Sequence, residues 1–276
     1  MPATVPGHVL REFGIDGPQH PLDGGQGTSV RVGAHVLKPG CVEEHVAWYA
    51  GLVARHADQR VRLAAPRPAR DGRWTVDGWS AVPWLTGEPL PDDETRADRW
   101  LAVLAAGRAL HDSWAHEPLP AHLRARRDRW SAADRAAWAE DEPALGARSA
   151  PLVDALLSAT RDEQLPRRLV HGDLAGNVLL APHLAPAVID VSPYCRPAAY
   201  ADAVVVVDAL LWWQADPALL RLARPADLDP RSWRSLLARA AVFRLVAFDE
   251  PSRTTGVDEE LARYERLARR LAADPR

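Results

Sequence analysis

Residues 169–190, LVHGDLAGNVLLAPHLAPAVID, constrain this chain more than any other stretch of it. Three short apolar runs, Leu169-Val170, Val178-Leu179-Leu180 and Ala187-Val188-Ile189, are separated by a polar loop and by a proline-flanked segment. Runs of that length bounded by turn residues read as buried strands, and the last two read as a hairpin. Asp173 then falls in a loop, Asn177 leads a strand and Asp190 ends one. Two carboxylates and an amide at such positions suit phosphoryl transfer. That chemistry needs a carboxylate to orient an incoming hydroxyl, and oxygen ligands to hold Mg²⁺ against nucleotide phosphates.

Asn177 is the only asparagine in the chain and Lys38 the only lysine, so every other member of the Lys+Arg total of 34 is an arginine. Such a bias fits coding that has drifted away from Lys and Asn codons. The two survivors are informative, because an arginine does not replace a compact ammonium that must reach phosphate oxygens, and neither Asp nor Gln reproduces a short neutral amide ligand.

Lys38 has its own context. Gly24, Gly25 and Gly27 precede Thr28 and Ser29, then come the alternating Val30-Arg31-Val32, a two-residue Gly33-Ala34 turn and His35-Val36-Leu37-Lys38. This is a glycine-rich loop feeding a β-hairpin. Glycines let backbone N–H groups approach phosphates, although no GxGxxG spacing is present. Val42, Val46, Tyr49 and Val53 then mark one face of a helix ending near His56, whose opening acids Glu43 and Glu44 suit its positive end. Residues 73–76 and 79–82 read as a second hairpin about an Asp77-Gly78 turn.

After residues 83–89 the pattern turns helical. Helices are expected over about 100–114, 152–161, 201–213, 232–248 and 257–271, with residues 191–200 an irregular proline-containing loop. His111 reads as a hydrogen-bonded core histidine. Asp202 and Asp208 lie on the 201–213 helix, where either could hold the backbone of the 171–177 loop from below, while Asp202 equally reads as a charge at the helix start. Trp130, Trp138, Tyr194 and Arg196 are open between packing and substrate contact, with packing favoured for Tyr194.

His171-Gly172-Asp173-Leu174, Asn177 and Asp190 together resemble the catalytic core of the aminoglycoside phosphotransferase and choline kinase family, relatives of the protein kinases. The interval from Asp173 to Asn177 is four residues where the usual pattern has five, and Ser192-Pro193 stands where relatives often carry a glycine. The resemblance implies an α+β fold of the two-lobed protein kinase type, with a small β-sheet lobe over 1–86 and a larger, mainly helical lobe over 87–276. It implies that Asp173 is the catalytic base, that Asn177 and Asp190 bind Mg²⁺, and that His171 braces the loop. Lys38 would hold nucleotide phosphates, oriented by Glu44 in preference to Glu43. Gly24, Gly25, Gly27, Thr28 and Ser29 would cover the phosphates, and Trp84 and Leu85 would meet the adenine.

The implied donor is ATP, with GTP second, and the implied acceptor is a hydroxyl on a small molecule, because the segment after Asp190 is short for docking a protein. A nucleotide-binding pseudokinase-like module with little turnover and a protein kinase stay open as alternatives. An aminoglycoside, a sugar, an amino alcohol and another natural product are all open as acceptors. A cationic acceptor would draw on Asp141, Glu142, Asp249, Glu250, Asp258, Glu259 or Glu260.

A formal net charge of −3 and dispersed arginines give no footprint for nucleic acid. The longest apolar run, 203–213, is too short to span a bilayer and contains Asp208, and the N-terminus shows no charged-then-apolar signal, so no membrane segment is expected. Cys41 and Cys195 are too few for a disulfide framework, which fits a reducing cytoplasm. No pattern specifies an oligomeric state.

Overall fold

The computed structural model describes residues 3–22, 28–56, 59–162, 164–249 and 257–273. They form two compact units, Met1–Pro89 with Leu179–Ile189, and Leu90–Val178 with Asp190–Arg276. The return of 179–189 to the smaller unit, and its extension to Pro89, differ from a single sequence boundary at 86/87.

The smaller unit opens with helix α1 (Gly7–Phe13), stopped by Gly14 in the left-handed region at φ 63°. Strands β1 (Gln19–Pro21), β2 (Val30–Val32) and β3 (His35–Lys38) follow in an antiparallel run. The expected two-residue turn is present, with Val32 opposite His35 and Gly33 at φ 56°. Helix α2 (Glu43–Arg55), the two-residue β4 (Arg62–Leu63) and β5 (Ser80–Pro83) complete this part. Strand β5 joins β3 with Leu37 opposite Ala81 and Lys38 opposite Ser80.

Alternation along β2 and β3 sends Val30, Val32 and Leu37 inward, where they meet Val9 and Phe13 of α1 in one apolar core. The N-terminal twenty residues therefore carry a helix and a strand that sequence periodicity does not reveal. One expected hairpin arm is corrected. Asp77 and Gly78 make the predicted turn, both at positive φ, but only Val76 and Trp79 bridge, and residues 73–75 are not a strand. The N–H groups of Trp74 and Thr75 are instead spent on the Glu43 carboxylate.

The larger unit begins with α3 (Ala97–Ser113), α4 (Ala121–Arg124), α5 (Arg129–Ala137) and α6 (Ala150–Ser158). Strand β6 (Arg167–His171) leads to the loop at 172–177 and to β7 (Val178–Leu179), which forms the expected hairpin sheet with β8 (Ala187–Val188). Within the smaller unit β4 adds to β8 in parallel. Residues 191–200 are not an irregular loop: β9 (Pro193–Pro197) pairs antiparallel with β6, and its two prolines sit at the strand ends, where a missing N–H costs least.

Helix α7 (Ala198–Trp212) follows without a break and is buried along nearly its whole length, as its unbroken apolar run demands. The short α8 (Leu219–Leu222), α9 (Pro230–Phe248) and α10 (Val257–Ala273) close the unit. Helix α9 starts on an Asp229 cap with Pro230 in its first turn and packs against α5, α6 and α7. No helix among the described residues is long and apolar enough to cross a membrane.

Candidate active site

The site residues named from sequence fall in both units. In the smaller one, Lys38 ends β3 and is half-buried, while Gly24, Gly25 and Gly27 lie outside the described residues. Thr28 and Ser29 are described, and the Leu22 N–H donates to the Ser29 carbonyl at 2.9 Å, joining the two ends of the glycine-rich segment.

The two candidate glutamates differ in what they do. Glu43 accepts from Trp74 N–H at 2.8 Å and from both the N–H and the hydroxyl of Thr75 at 2.7 Å. Burial pushes its carboxyl up, but the hydrogen bonds from Trp74 and Thr75 outweigh that and hold it below the usual range. Glu43 thus ties the start of α2 to the 74–75 backbone. Glu44, one position on, is exposed.

At the other end of the β3–β5 pair, Trp84 donates its N–H to the Ala34 carbonyl at 2.8 Å, and its ring is covered by the Arg31 guanidinium at 4.2 Å. The Thr86 carbonyl accepts from Arg62 at 2.7 Å, and Glu88 exchanges backbone bonds with Leu180. Gly87 is required between them: its φ is 136° and an added Cβ would lie 3.0 Å from Leu179 Cβ. The Leu85 N–H and C=O make no hydrogen bond among the described residues, so this is where the segment keeps a backbone donor and acceptor available.

The 172–177 loop of the larger unit is held by two histidines in series. The fully buried His111 accepts the His171 N–H at Nε2, 3.0 Å away, and His171 Nδ1 accepts the Asp173 N–H at 3.1 Å. Burial, with His171 and Arg168 nearby, pushes the His111 ring down to about 3, so it is neutral at physiological pH, as an accepting ring must be. Gly172 is needed here, since a Cβ would lie 2.5 Å from the Tyr194 ring.

The four-residue interval from Asp173 to Asn177 is a tight turn. Asn177 N–H donates to the Leu174 carbonyl at 3.0 Å, with Gly176 at φ 77°. The Asn177 amide nitrogen turns back to the Asp173 carbonyl at 2.8 Å and to Asp173 Oδ2 at 3.3 Å. That use of the nitrogen leaves the amide oxygen without a part in these bonds. Asp190 is exposed, beyond the end of β8, at φ 50°, a conformation aspartate tolerates better than most residues. An amide oxygen and a carboxylate are both hard-oxygen donors of the kind Mg²⁺ takes, an ion that completes its shell with water and phosphate oxygens.

The structure adds a partner that the motifs do not show. Arg244 of α9 places Nη2 2.6 Å from Asp173 Oδ1, and clasps Asp208 of α7 through Nε at 2.7 Å and Nη2 at 2.5 Å. Arg244 and Asp208 are almost wholly buried, whereas the Asp173 side chain is 41% exposed. Burial alone would lower the guanidinium, but the two carboxylates raise it well above its ordinary value; burial pushes Asp208 up to about 6 against the pull of Arg244. Asp208 therefore reaches the loop through the Asp173 side chain, by way of Arg244. Asp202 is occupied elsewhere, with Arg108 at 2.7 Å.

The signal for this triad is visible in the sequence as one acid inside the apolar run of α7 and one arginine between Phe243 and Leu245. Each would be too costly to bury alone. Tyr194 and Arg196 prove to be packing residues. Tyr194 stacks edge-on against Phe243 at 5.7 Å, and Arg196 is buried between Asp134 and Glu140. Trp138 is enclosed by Arg167, Arg196 and Arg239, and Trp130 packs on Phe243.

No family model matches the sequence, and no curated protein sequence does either. Solved structures do match in fold. An aminoglycoside phosphotransferase from Alicyclobacillus acidocaldarius superposes with a TM-score of 0.63 at 15% identity, over 99% of this chain and 95% of that one. A spectinomycin phosphotransferase in an AMP-bound complex gives 0.63 at 14% identity, over 98% and 97%. A microcompartment-associated aminopropanol kinase gives 0.63 at 19%, over 96% of each. The chain has the α+β, protein kinase-like fold that these proteins share.

Proposed function

We propose that this protein transfers the γ-phosphoryl group of ATP to a hydroxyl of a small molecule, with GTP the lesser alternative as donor. The observation that carries the reading is the Asp173 carboxylate, held on one oxygen by a buried arginine and presented, part-exposed, on a loop whose asparagine turns its amide nitrogen back onto Asp173. The full-length likeness to phosphotransferases and small-molecule kinases supports it, including one solved with AMP.

In this reading Lys38, oriented by Glu44, holds the nucleotide phosphates, and the segment with Gly24, Gly25, Gly27, Thr28 and Ser29 covers them. Leu85 offers its backbone N–H and C=O to the adenine edge beside Trp84. Asn177 and Asp190 would hold Mg²⁺, which would supply charge neutralisation to the phosphates. With Oδ1 committed to Arg244, Asp173 meets the acceptor hydroxyl through Oδ2. The hydroxyl oxygen bonds to the γ-phosphorus, the bond from that phosphorus to the β–γ bridging oxygen breaks, and ADP leaves with the electron pair. The hydroxyl proton passes to Asp173 and on to solvent. Such a site works by positioning more than by covalent chemistry.

A small acceptor is favoured because residues 193–197 are taken up by β9 and lead straight into α7. A nucleotide-binding module with little turnover has one observation in its favour, the neutralisation of Asp173 by Arg244. Two measurements separate the readings. Mg²⁺-ATP should raise the melting temperature of both the wild type and Asp173→Asn. ATP consumption across a library of hydroxylated metabolites should identify an acceptor for the wild type, with Asp173→Asn lowering kcat at least ~10²-fold. Equal turnover in the variant would refute Asp173 as the base, and binding with no turnover on any acceptor would establish the non-catalytic module. A cytoplasmic setting is part of this proposal, and the two free cysteines, Cys41 and Cys195, are compatible with it.

A further inference from the structure

Helix α3 carries two residues that its own stability argues against. Val103, Leu104 and Leu110 fill its buried face, as an apolar stripe should. Gly107 and His111 interrupt that face one turn apart. A glycine weakens a helix interior, and a buried histidine brings two ring nitrogens that need partners. Of those two, only Nε2 has one among the described residues. It accepts the His171 N–H at 3.0 Å, so the ring proton sits on the buried Nδ1, which makes no hydrogen bond there. A leucine would fill about the same space without an orphaned donor.

Both exceptions are explained by what they touch. His111 holds the backbone two places before Asp173, and His171 passes that hold on, since its Nδ1 accepts the Asp173 N–H at 3.1 Å. Leu174, the residue after Asp173, is buried against Gly107. A Cβ added to Gly107 would overlap Leu174 Cδ1 and stand 3.9 Å from His111 Cε1. One face of α3 therefore grips the chain on both sides of Asp173. The carboxylate itself is held from another helix, by Arg244 of α9 at 2.6 Å. Two departures from local preference that converge on the flanks of one residue mark a functional constraint on it.

We propose that His111 and Gly107 are positioning residues for the phosphoryl transfer: together they seat the backbone of residues 171–174 so that Asp173 presents its carboxylate to the acceptor hydroxyl in a fixed register. Neither touches substrate; His111 acts through the His171 and Asp173 amides, and Gly107 through Leu174. The inference rests on the reading given under Proposed function, and its test includes a readout that needs no turnover.

The full chain is compared with His111→Leu, His111→Gln and His111→Asn, and with Gly107→Ala alone and combined with Leu174→Val. Hydrogen exchange at the His171 and Asp173 amides is followed by NMR. ADP formation from Mg²⁺-ATP is measured with water as the acceptor and with the acceptor that the metabolite screen returns, well below each melting temperature. In His111→Leu both amides should exchange at least ~10-fold faster and kcat should fall at least ~10-fold, with the KM for ATP within about twofold, because Lys38 holds the phosphates in the proposed site. Gln brings an acceptor to the place of Nε2 and should restore both readouts. Asn, one carbon shorter, reaches only the place of Nδ1 and should restore neither. Gly107→Ala should lower kcat in the same way, and Leu174→Val, which removes the overlapping methyl group, should return most of the loss.

Unchanged exchange and kcat in His111→Leu overturn the proposal and leave the phosphotransferase reading standing. Equal losses in the Leu, Gln and Asn variants also overturn it, because an acceptor at the Nε2 position would then not be what counts. No ADP formation by the wild type, with amide exchange that still follows the Nε2 acceptor, supports the seat and counts against the phosphotransferase reading.

Discussion

Arg244 Nη2 and Asp173 Oδ1 are 2.6 Å apart, and the same guanidinium is closed on its other side by the buried Asp208. The arrangement fixes Oδ1 of Asp173, while Oδ2 accepts only a longer bond from the Asn177 amide at 3.3 Å. Stability and orientation can be separated here. Arg244→Ala strands Asp208 as a buried, uncompensated charge and should cost about 3–5 kcal/mol in urea unfolding. Replacing both members with apolar residues, Arg244→Leu with Asp208→Leu, should restore most of that stability, because a buried pair gains little over good apolar packing. The double variant should still lose at least ~10-fold in kcat, because Asp173 is no longer held. Full activity in a stable double variant would show that Arg244 does not position Asp173.

Gly172 carries a steric prediction. A Cβ there would lie 2.5 Å from one Tyr194 ring carbon and 2.7 Å from another, in a region buried against Phe243. Gly172→Ala should therefore destabilise by about 1–3 kcal/mol through overpacking. Tyr194→Leu should relieve most of that cost when combined with it, so the two changes should be strongly non-additive in a double-mutant cycle. Additive losses would mean that the loop moves away from the ring instead.

The parts of the fold legible in the sequence are those with a local signature. The Gly33-Ala34 turn, helices α2 and α3, and the buried run of α7 follow from turn chemistry and apolar spacing. Strand β9 is hidden by its own prolines, whose places at the two ends become harmless only once β6 is known to be its partner. Helix α1 has only Val9 and Phe13 to show a period, and β4 is two residues long with a partner more than a hundred residues away. The 73–76 arm misleads because Glu43, thirty positions upstream, competes for its N–H groups. The motif residues His171, Asp173 and Asn177 come together in one loop because they are close in the chain. Arg244 arrives from another helix, and only the cost of burying its charge beside apolar neighbours hints at Asp208.

His111 gives the stability a pH dependence of known sign. Its ring is pushed down to about 3 in the folded chain, so it stays neutral while the unfolded chain takes up a proton below about 6.5. The unfolded state then binds more protons, and stability present at neutral pH is lost as pH falls from about 6.5 towards 3. The slope approaches ~1.4 kcal/mol per pH unit from this group alone. Melting curves between pH 7 and pH 5 should show a steeper decline for the wild type than for His111→Gln, whose amide oxygen can still accept the His171 N–H. Parallel declines would mean that another group dominates.

The two neighbouring glutamates at the start of α2 should separate in their effects. Glu43 satisfies the N–H groups of Trp74 and Thr75 and the Thr75 hydroxyl, so Glu43→Ala leaves those donors without their acceptor and should cost about 2 kcal/mol. Its effect on nucleotide affinity should be no larger than a general loosening of the smaller unit produces. Glu44 is exposed, and in the proposed mechanism its carboxylate orients Lys38. Glu44→Gln should leave the melting temperature within a degree or two, a range set by the small worth of exposed charges. The same change should raise the KM for ATP several-fold, as should Lys38→Met, and combining the two should add little because both act on one interaction. Should Glu43→Ala be the variant that weakens ATP binding at unchanged stability, the lysine's partner is Glu43, and the hydrogen bonds to residues 74–75 would have to open when nucleotide binds.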